Sequence, residues 1–83
     1  MIGTAKMLAE VAGREKVGIG LYLYPDGENL MLTVKSGFGR LDCAYPVKTV
    51  EGTIGEGVLR ACAEDCVKRL REKAEALKEQ EKL

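Results

Sequence analysis

Three cysteines are the residues of this 83-residue chain best suited to chemistry, because histidine is absent. Cys62 and Cys66 are four positions apart, so on a helix their thiols share one face and could bind a metal or form a strained disulfide. A structural zinc site needs four ligands, however, and Cys43 falls on the apolar side of a predicted strand. We therefore expect buried apolar cysteines and no metal, with a redox role and metal binding as the alternatives.

Acid-base catalysis has few candidate residues in this composition. Without histidine, the role falls to a carboxylate or a lysine whose pKa has been moved. Asp26, Glu28 and Asp42 lie in or beside turns or on a polar strand face, where solvated charge is the ordinary role. We predict that the chain is not an enzyme and uses no cofactor. The catalytic alternative is a thiol enzyme that uses Cys62 or Cys66 as a thiolate with a lowered pKa.

Length and composition predict one compact domain without overall charge. Eighty-three residues can build one apolar core, so we treat 1–83 as a single domain. Hydrophobic residues make up 46% and charged residues 31% of the chain, which is typical of a folded protein. Thirteen Lys and Arg balance thirteen Asp and Glu, so no net field attracts phosphates or basic partners.

The sequence predicts a cytoplasmic protein that does not enter a membrane. Three cysteines are an odd number, which argues against a secreted disulfide framework. Lys6 and Glu10 interrupt the first apolar stretch, so no secretory signal is expected. The longest uncharged run lies between Lys16 and Asp26, far short of the roughly 20 residues of a membrane-spanning helix.

The first part of the chain predicts a helix followed by a strand. Apolar residues recur at helical spacing after Thr4, a candidate N-cap, and Gly13 is a candidate left-handed stop. We therefore expect a helix over about 4–12. From Val17 the apolar period changes to two, which predicts a strand that ends in the turn at 24–27.

Two further strands are predicted to complete an antiparallel meander. Apolar residues alternate with others over about 29–35, and a turn at 36–39 leads to a third alternating segment over 40–47. Pro46 lacks an amide hydrogen, which suits a strand end or a sheet edge. The period of two predicts one apolar sheet face covered by both helices and one open face. The predicted apolar face comprises Val17, Ile19, Leu21, Leu23, Leu30, Leu32, Val34, Leu41, Cys43 and Tyr45.

A long amphipathic helix is predicted to close the chain. Thr53 and Glu56 have the capping-box spacing of a helix start, and no proline follows them. We therefore expect this helix over about 54–82. The predicted fold class is α+β in the order α-β-β-β-α, a three-stranded antiparallel meander with both helices packed on one face.

This element order, over about residues 4–80, resembles that of double-stranded-RNA-binding domains. The resemblance would imply RNA binding, with a basic cluster that opens the last helix. The corresponding residues here, 56–60, contain one acid and one base. The turn at 25–28 also carries acids where an RNA groove needs neutral or basic contacts. We therefore carry over the topology and give the activity little weight.

The open sheet face has the composition of a contact surface. We predict a binding surface made of Tyr22, Tyr24, Met31, Lys35 and Arg40. Tyrosine and methionine are enriched where proteins meet, and glycines on the same face leave a flat floor for another backbone or sheet. The alternative is a solvated face with aromatic cross-strand pairs.

The long helix is predicted to overhang the sheet. About 29 residues span about 43 Å as a helix, whereas strands of about seven or eight residues span about 25 Å. Leu70, Ala74 and Leu77 continue the apolar stripe into the overhang and predict a two-helix contact in a homodimer. A frayed, charged terminus is the alternative.

These features predict a non-enzymatic, self-associating interaction module. It would bind and occlude a surface of a protein partner, as small accessory or regulatory proteins do, including inhibitors carried by bacteriophage. The sequence does not identify that partner. The alternative function is nucleic-acid binding, with the tyrosines under bases and Lys35 and Arg40 near phosphates. Balanced charge makes nucleic acid the less favoured partner.

Overall fold

The chain folds as two helices and one three-stranded antiparallel sheet. The computed structural model describes residues 2–26, 28–37, 39–47 and 54–81. The elements in chain order are helix α1 (Ile2–Glu15), strands β1 (Gly18–Leu23), β2 (Asn29–Ser36) and β3 (Gly39–Pro46), and helix α2 (Glu56–Glu81). The predicted α+β fold class and element order are confirmed.

The sheet is a meander with β2 in the middle and β1 and β3 at the two edges. Leu21 pairs with Leu32, which pairs in turn with Cys43. Because strand side chains alternate between faces, such rows form an apolar inner face toward the helices. The opposite side is the outer face, made of Gly18, Gly20, Tyr22, Tyr24, Met31, Thr33, Lys35, Arg40, Asp42 and Ala44.

One apolar core lies between the inner face and the two helices. β2 supplies its centre, where Leu30, Leu32 and Val34 are completely buried. α1 adds Met7 and Val11. The contribution of α2 is Leu59, Ala63, Cys66, Val67 and Leu70. Removal of these side chains from water is the main favourable term in folding, so it also fixes how the helices lie on the sheet.

α1 is longer than the sequence predicts at both ends. It begins at Ile2, so Thr4, the predicted N-cap, lies inside the helix. It also continues through Gly13, the predicted stop, and ends at Glu15. The extra turn brings the Glu15 carboxylate to 2.6 Å from the guanidinium of Arg71 on α2. The predicted stop at Gly13 is therefore wrong, and the contact with Arg71 lies outside the local sequence pattern on which that prediction was based.

The stop of α1 is a lysine in the left-handed conformation. Lys16 has a φ of 58°, a conformation that costs a residue with a Cβ roughly 1 kcal/mol. The N–H of Val17 donates to the carbonyl of Ala12 at 3.0 Å, which is the longer bond of a Schellman motif. This bond satisfies a carbonyl at the helix end and offsets part of the strain at Lys16.

The loop between β1 and β2 is closed by Asp26, as its turn chemistry predicts. Its Oδ1 accepts hydrogen bonds from the backbone N–H of Glu28 at 2.9 Å and of Asn29 at 3.1 Å. The hydrogen bond from Glu28, followed by one that the Asn29 side-chain amide donates to Oδ2 at 2.8 Å, holds the pKa of Asp26 below its usual value of 3.8. Gly27, the predicted left-handed residue of this turn, lies outside the described residues.

α2 begins two residues after its predicted start. The N–H of Leu59 donates to the carbonyl of Gly55 at 3.0 Å, which makes Gly55 the N-cap. Glu56 in the first turn suits the positive end of the helix dipole. Thr53, the predicted capping-box partner of Glu56, and residue 82, the predicted helix end, lie outside the described residues.

The C-terminal part of α2 extends past the sheet. Leu70 is buried, the ammonium of Lys73 lies 3.4 Å from the carbonyl oxygen of Arg40, and Ala74 is half-buried. All residues from 75 to 80 are exposed. The molecule is correspondingly elongated, with extents of 50 × 25 × 16 Å. As far as the structure describes them, neither helix is long and apolar enough to cross a bilayer.

Candidate interaction surface

The outer face carries two exposed tyrosines at one end. Tyr22 lies on β1, and Tyr24 is the first residue after the end of that strand. Because they are two positions apart in extended chain, both rings point to the same side of the sheet. The ring centroids are 5.3 Å apart with an interplanar angle of 89°, an edge-to-face contact. Tyr22 pairs across the sheet with Met31, which pairs with Ala44. The result is an apolar patch that leaves Tyr22 53% and Tyr24 38% exposed.

The other end of the outer face carries the charges. Lys35 and Arg40 lie directly opposite each other on β2 and β3, where like charges repel. The Oδ1 of Asp42 lies 3.3 Å from the Nε of Arg40, and the Thr33 hydroxyl donates to the same oxygen at 2.7 Å. The hydrogen bond from Thr33, followed by that from Arg40, lowers the pKa of Asp42 below its usual 3.8. Arg40 is therefore already paired.

All five residues predicted for the binding surface thus lie on one face, but they form two groups. The aromatic group comprises Tyr22, Tyr24 and Met31, and the charged group comprises Lys35 and Arg40. Within the part of the chain that the structure describes, Lys35 makes no ion pair. The pairing of Arg40 with Asp42 was missed by the sequence analysis, although both positions share a strand face two residues apart.

The chain matches no protein-family model, no curated protein and no solved structure. Its element order is the feature it shares with double-stranded-RNA-binding domains. At the start of α2, where that family would imply a basic cluster, Arg60 lies 3.9 Å from the carboxylate of Glu56. The base of this stretch therefore faces an acid of the same helix, which supports a likeness in topology alone.

The inner face is incompletely covered at β1. Leu21 and Leu23 are 36% and 41% exposed, although Leu32 and Leu30, their cross-strand neighbours, are completely buried. α2 packs against β2 and β3, and α1 is the helix that contacts β1. The predicted burial of Leu21 and Leu23 is therefore wrong. Strand alternation assigns a residue to a face, but it does not show whether a helix reaches that residue.

A polar contact joins β3 to α2 at the opposite edge of the sheet. The hydroxyl of Tyr45 donates to the Oδ2 of Asp65 at 2.8 Å. The same oxygen lies 3.0 Å from the Nε of Arg69, whose guanidinium lies 5.9 Å from the centre of the Tyr45 ring. Burial, and then the hydrogen bond to Asp65, raise the pKa of Tyr45 above its ordinary value. The inner face is therefore held more firmly at β3 than at β1.

The cysteines are placed as core residues rather than as a reactive group. Cys66 is completely buried, and burial raises the pKa of its thiol to about 12. Burial also raises the pKa of the half-buried Cys62. All three cysteines, including the buried Cys43, are free. No group of three or more potential metal ligands occurs among the described residues.

The residues predicted for helix-mediated self-association divide into buried and exposed positions. Leu70 is only 1% exposed and lies in the core of its own chain. Ala74 is half-buried, and Leu77 is 49% exposed. Because a side chain already buried in the monomer offers no area to a partner, the surface available on this stripe consists of Ala74 and Leu77. Self-association itself stays a prediction.

A shallow groove of about 350 Å³ lies where the end of α1 meets α2. Its charged residues are Glu15, Glu64, Lys68, Arg71, Glu72 and Glu75. Glu15 and Arg71 form the 2.6 Å ion pair that joins the two helices. Charges of both signs around a partly exposed ion pair are typical of a solvated contact between two helices. We therefore assign this groove no chemistry.

Proposed function

We propose that this chain is a non-enzymatic interaction module that binds a protein partner through its outer sheet face. The observation that supports this most is the exposure of Tyr22 and Tyr24 in edge-to-face contact on that face. Two rings held against each other present apolar area and hydroxyls at little further cost in side-chain entropy. Such rigid aromatic anchors are typical of the residues that carry binding energy in protein interfaces.

The surroundings of the tyrosines favour a protein surface as the partner. Met31 and Ala44 extend the apolar patch across the sheet, and methionine adapts its shape to an opposing surface. Lys35 and Arg40 lie outside the patch, at the other end of the outer face, as charged residues do at the rim of an interface. An apolar patch with charged residues on one side of it is compatible with a specific protein contact.

The mechanism we propose is occlusion, in which the bound domain blocks a surface that its partner needs. A small domain with a preformed sheet face suits such an accessory or regulatory role. The raised pKa values of Cys66 and Cys62 disfavour a thiolate nucleophile, which fits a protein that acts by binding. Free cysteines fit the reducing cytoplasm as the compartment.

The proposal is tested with three immobilised forms of the full chain in extract of its source cells. The wild type is compared with a Tyr22→Ser/Tyr24→Ser variant and with a Val58→Ser/Leu77→Ser control. The control removes two side chains of similar exposure that lie on α2, 51% and 49% exposed. Circular dichroism and thermal unfolding establish that each variant is folded.

We expect at least one protein to be retained by the wild type and the control and to be about tenfold or more depleted on the tyrosine variant. Retention should tolerate high salt, because an apolar contact is weakly screened. The proposal fails if every retained protein is captured equally by the tyrosine variant and the wild type.

Nucleic-acid binding is the second candidate. It is favoured because Lys35, which makes no ion pair among the described residues, lies on the same sheet face as the exposed tyrosines, at its other end. Single- and double-stranded oligonucleotides added to the wild type at low salt test it directly. We expect no binding, since the chain has no net positive charge. A complex that weakens steeply with salt and disappears in the tyrosine variant would replace the first candidate with this one.

A further inference from the structure

β1 leaves one row of backbone groups facing away from the sheet. The N–H of Tyr24 donates to the carbonyl of Asn29 at 3.1 Å, so even-numbered residues of β1 bond to β2. In an antiparallel ladder the intervening residues then direct their N–H and C=O groups outward. These residues are Ile19, Leu21 and Leu23, and within the described part of the chain their N–H groups have no acceptor.

The row of free donors is limited on both sides. The N–H of Val17, the next outward position before Ile19, already donates to the carbonyl of Ala12 at 3.0 Å. Pro25, the next outward position after Leu23, has no amide hydrogen. The free edge therefore contains three donors, and Leu21 is at its centre.

The two edges of the sheet differ in their protection against pairing. Native edge strands are usually blocked by charges or proline, and β3 has both, with Arg40 and Asp42 along it and Pro46 at its end. β1 has the sequence GIGLYL, without charge or proline. It also exposes Leu21 and Leu23, two large apolar side chains. β1 is thus the edge suited to an added strand.

We propose that β1 pairs antiparallel with β1 of a second copy of this chain about a two-fold axis at Leu21. This register pairs Leu21 with Leu21 of the second copy and Ile19 with Leu23. All three free donors of each copy then find carbonyl acceptors, and one six-stranded sheet results. A shift of the axis toward either end pairs an outward position with Val17 or Pro25, which have no free donor.

The side chains of the outer face are self-complementary in this register. Gly20 faces Tyr22 of the second copy, and Gly18 faces Tyr24, so each ring lies over a position without a side chain. The monomer itself does not require glycine at 20. Its φ is not in the left-handed region, and a Cβ there would be 3.9 Å from the nearest atom, the Cβ of Thr33. Glycine in a strand interior often marks the close approach of another chain.

The inner face is complementary as well. Leu21 meets its own copy, and Leu23 meets Ile19 of the second copy, so the two side chains that the helices leave exposed become covered. β1 has no charged residue, so two copies of it can pair without removing an ion from water. This is why a second copy of the chain suits this edge. The pairing does not depend on the proposed partner, although it would place the tyrosines of both copies in one central patch.

Sedimentation of full-length variants tests the pairing. The wild type should sediment at twice the 9.0 kDa chain mass. Leu21→Lys and Leu21→Glu each place like charges opposite each other, and we expect each to weaken the dimer about tenfold or more. An equimolar mixture of the two variants should restore a dimer, because opposite charges then meet on the axis. Leu77→Lys, the matched control on α2, should leave the dimer intact.

A second variant separates pairing from folding. Gly20→Val adds a β-branched residue at an exposed strand position where a Cβ makes only ordinary contact, so the monomer should be at least as stable as the wild type. The same side chain occupies the space of Tyr22 of the second copy, so the dimer should weaken about tenfold or more. A monomeric wild type overturns the proposal. It is also overturned by a dimer that survives both Leu21→Lys and Gly20→Val, or by one that only Leu77→Lys disrupts.

Discussion

Tyr45 on β3 donates a 2.8 Å hydrogen bond to Asp65 on α2. This contact anchors α2 over one edge of the sheet, and the far edge, at Leu21 and Leu23, is left exposed. The two edges also differ in composition. The β3 edge carries charged residues and Pro46, which hinder pairing with another strand, whereas the β1 edge is apolar. This difference between the two edges is the basis of the proposed pairing through β1.

Tyr45→Phe should destabilise the fold by about 1 kcal/mol, because it removes a part-buried hydrogen bond and leaves the ring in place. Urea unfolding at neutral pH measures this change. Tyr22→Phe is the control, since the Tyr22 hydroxyl makes no hydrogen bond among the described residues, and it should be close to neutral. Equal effects of the two substitutions would contradict the assigned role of Tyr45.

The stability difference between the wild type and Tyr45→Phe should depend on pH in the alkaline range. Burial and the hydrogen bond to Asp65 raise the pKa of Tyr45 above 10.0, so the folded state resists its ionisation. The stabilisation by the hydroxyl is therefore complete below about pH 10 and is lost as the pH rises further. The stability difference between wild type and Tyr45→Phe should stay constant near neutral pH and shrink above about pH 10.

Strand alternation made the outer face predictable from sequence. Successive side chains of a strand must point to opposite faces, so the positions of Tyr22 and Tyr24 relative to Leu21 follow from backbone geometry alone. The exposure of Leu21 could not be predicted, because it depends on where α1 and α2 end on the sheet. Leu70 shows the converse, since its position in the overhanging stripe predicted an exposed contact and the structure buries it.

Helix ends were less predictable than strands. Gly13 has the residue type of a C-cap, yet α1 continues past it to the contact of Glu15 with Arg71. Arg71 is more than fifty positions away in the chain, so this contact does not appear in the local sequence pattern around Gly13. Polar pairs within one element are predictable from the local sequence. Arg40 and Asp42 are an example, because residues two positions apart on a strand share one face.

The left-handed residue at the end of α1 is Lys16 rather than glycine, and this suggests a stabilising substitution. Lys16→Gly should raise the free energy of unfolding by about 1 kcal/mol, because glycine adopts the φ of 58° without a Cβ clash. Urea or thermal unfolding measures the gain. Glu10→Gly is the matched control, since it places glycine at an exposed position inside α1 and should cost about 1 kcal/mol. A loss of stability in Lys16→Gly would mean that the lysine side chain is needed at the cap.

Cys66 should be nearly inert toward alkylation in the folded protein. Its pKa of about 12 leaves few thiolates at pH 8, and its side chain is completely buried. Iodoacetamide labelling read by mass spectrometry should modify Cys66 at least about a hundredfold more slowly in the native protein than in urea. The half-buried Cys62 provides an internal comparison and should react faster than Cys66. Rapid native labelling of Cys66 would instead favour a thiol enzyme.

The overhang of α2 should be dispensable for self-association. A chain that ends after Arg71 loses Leu77, the half-buried Ala74 and the contact of Lys73 with Arg40, but it keeps β1 and the whole buried core. We expect sedimentation to show the same number of subunits for the truncated and full-length chains, with a stability loss of about 1 kcal/mol. If truncation instead gives monomers while Leu21→Lys leaves the full-length dimer intact, the contact between copies lies on α2. The two alternatives require opposite results from the same pair of proteins, because β1 and the overhang share no residue.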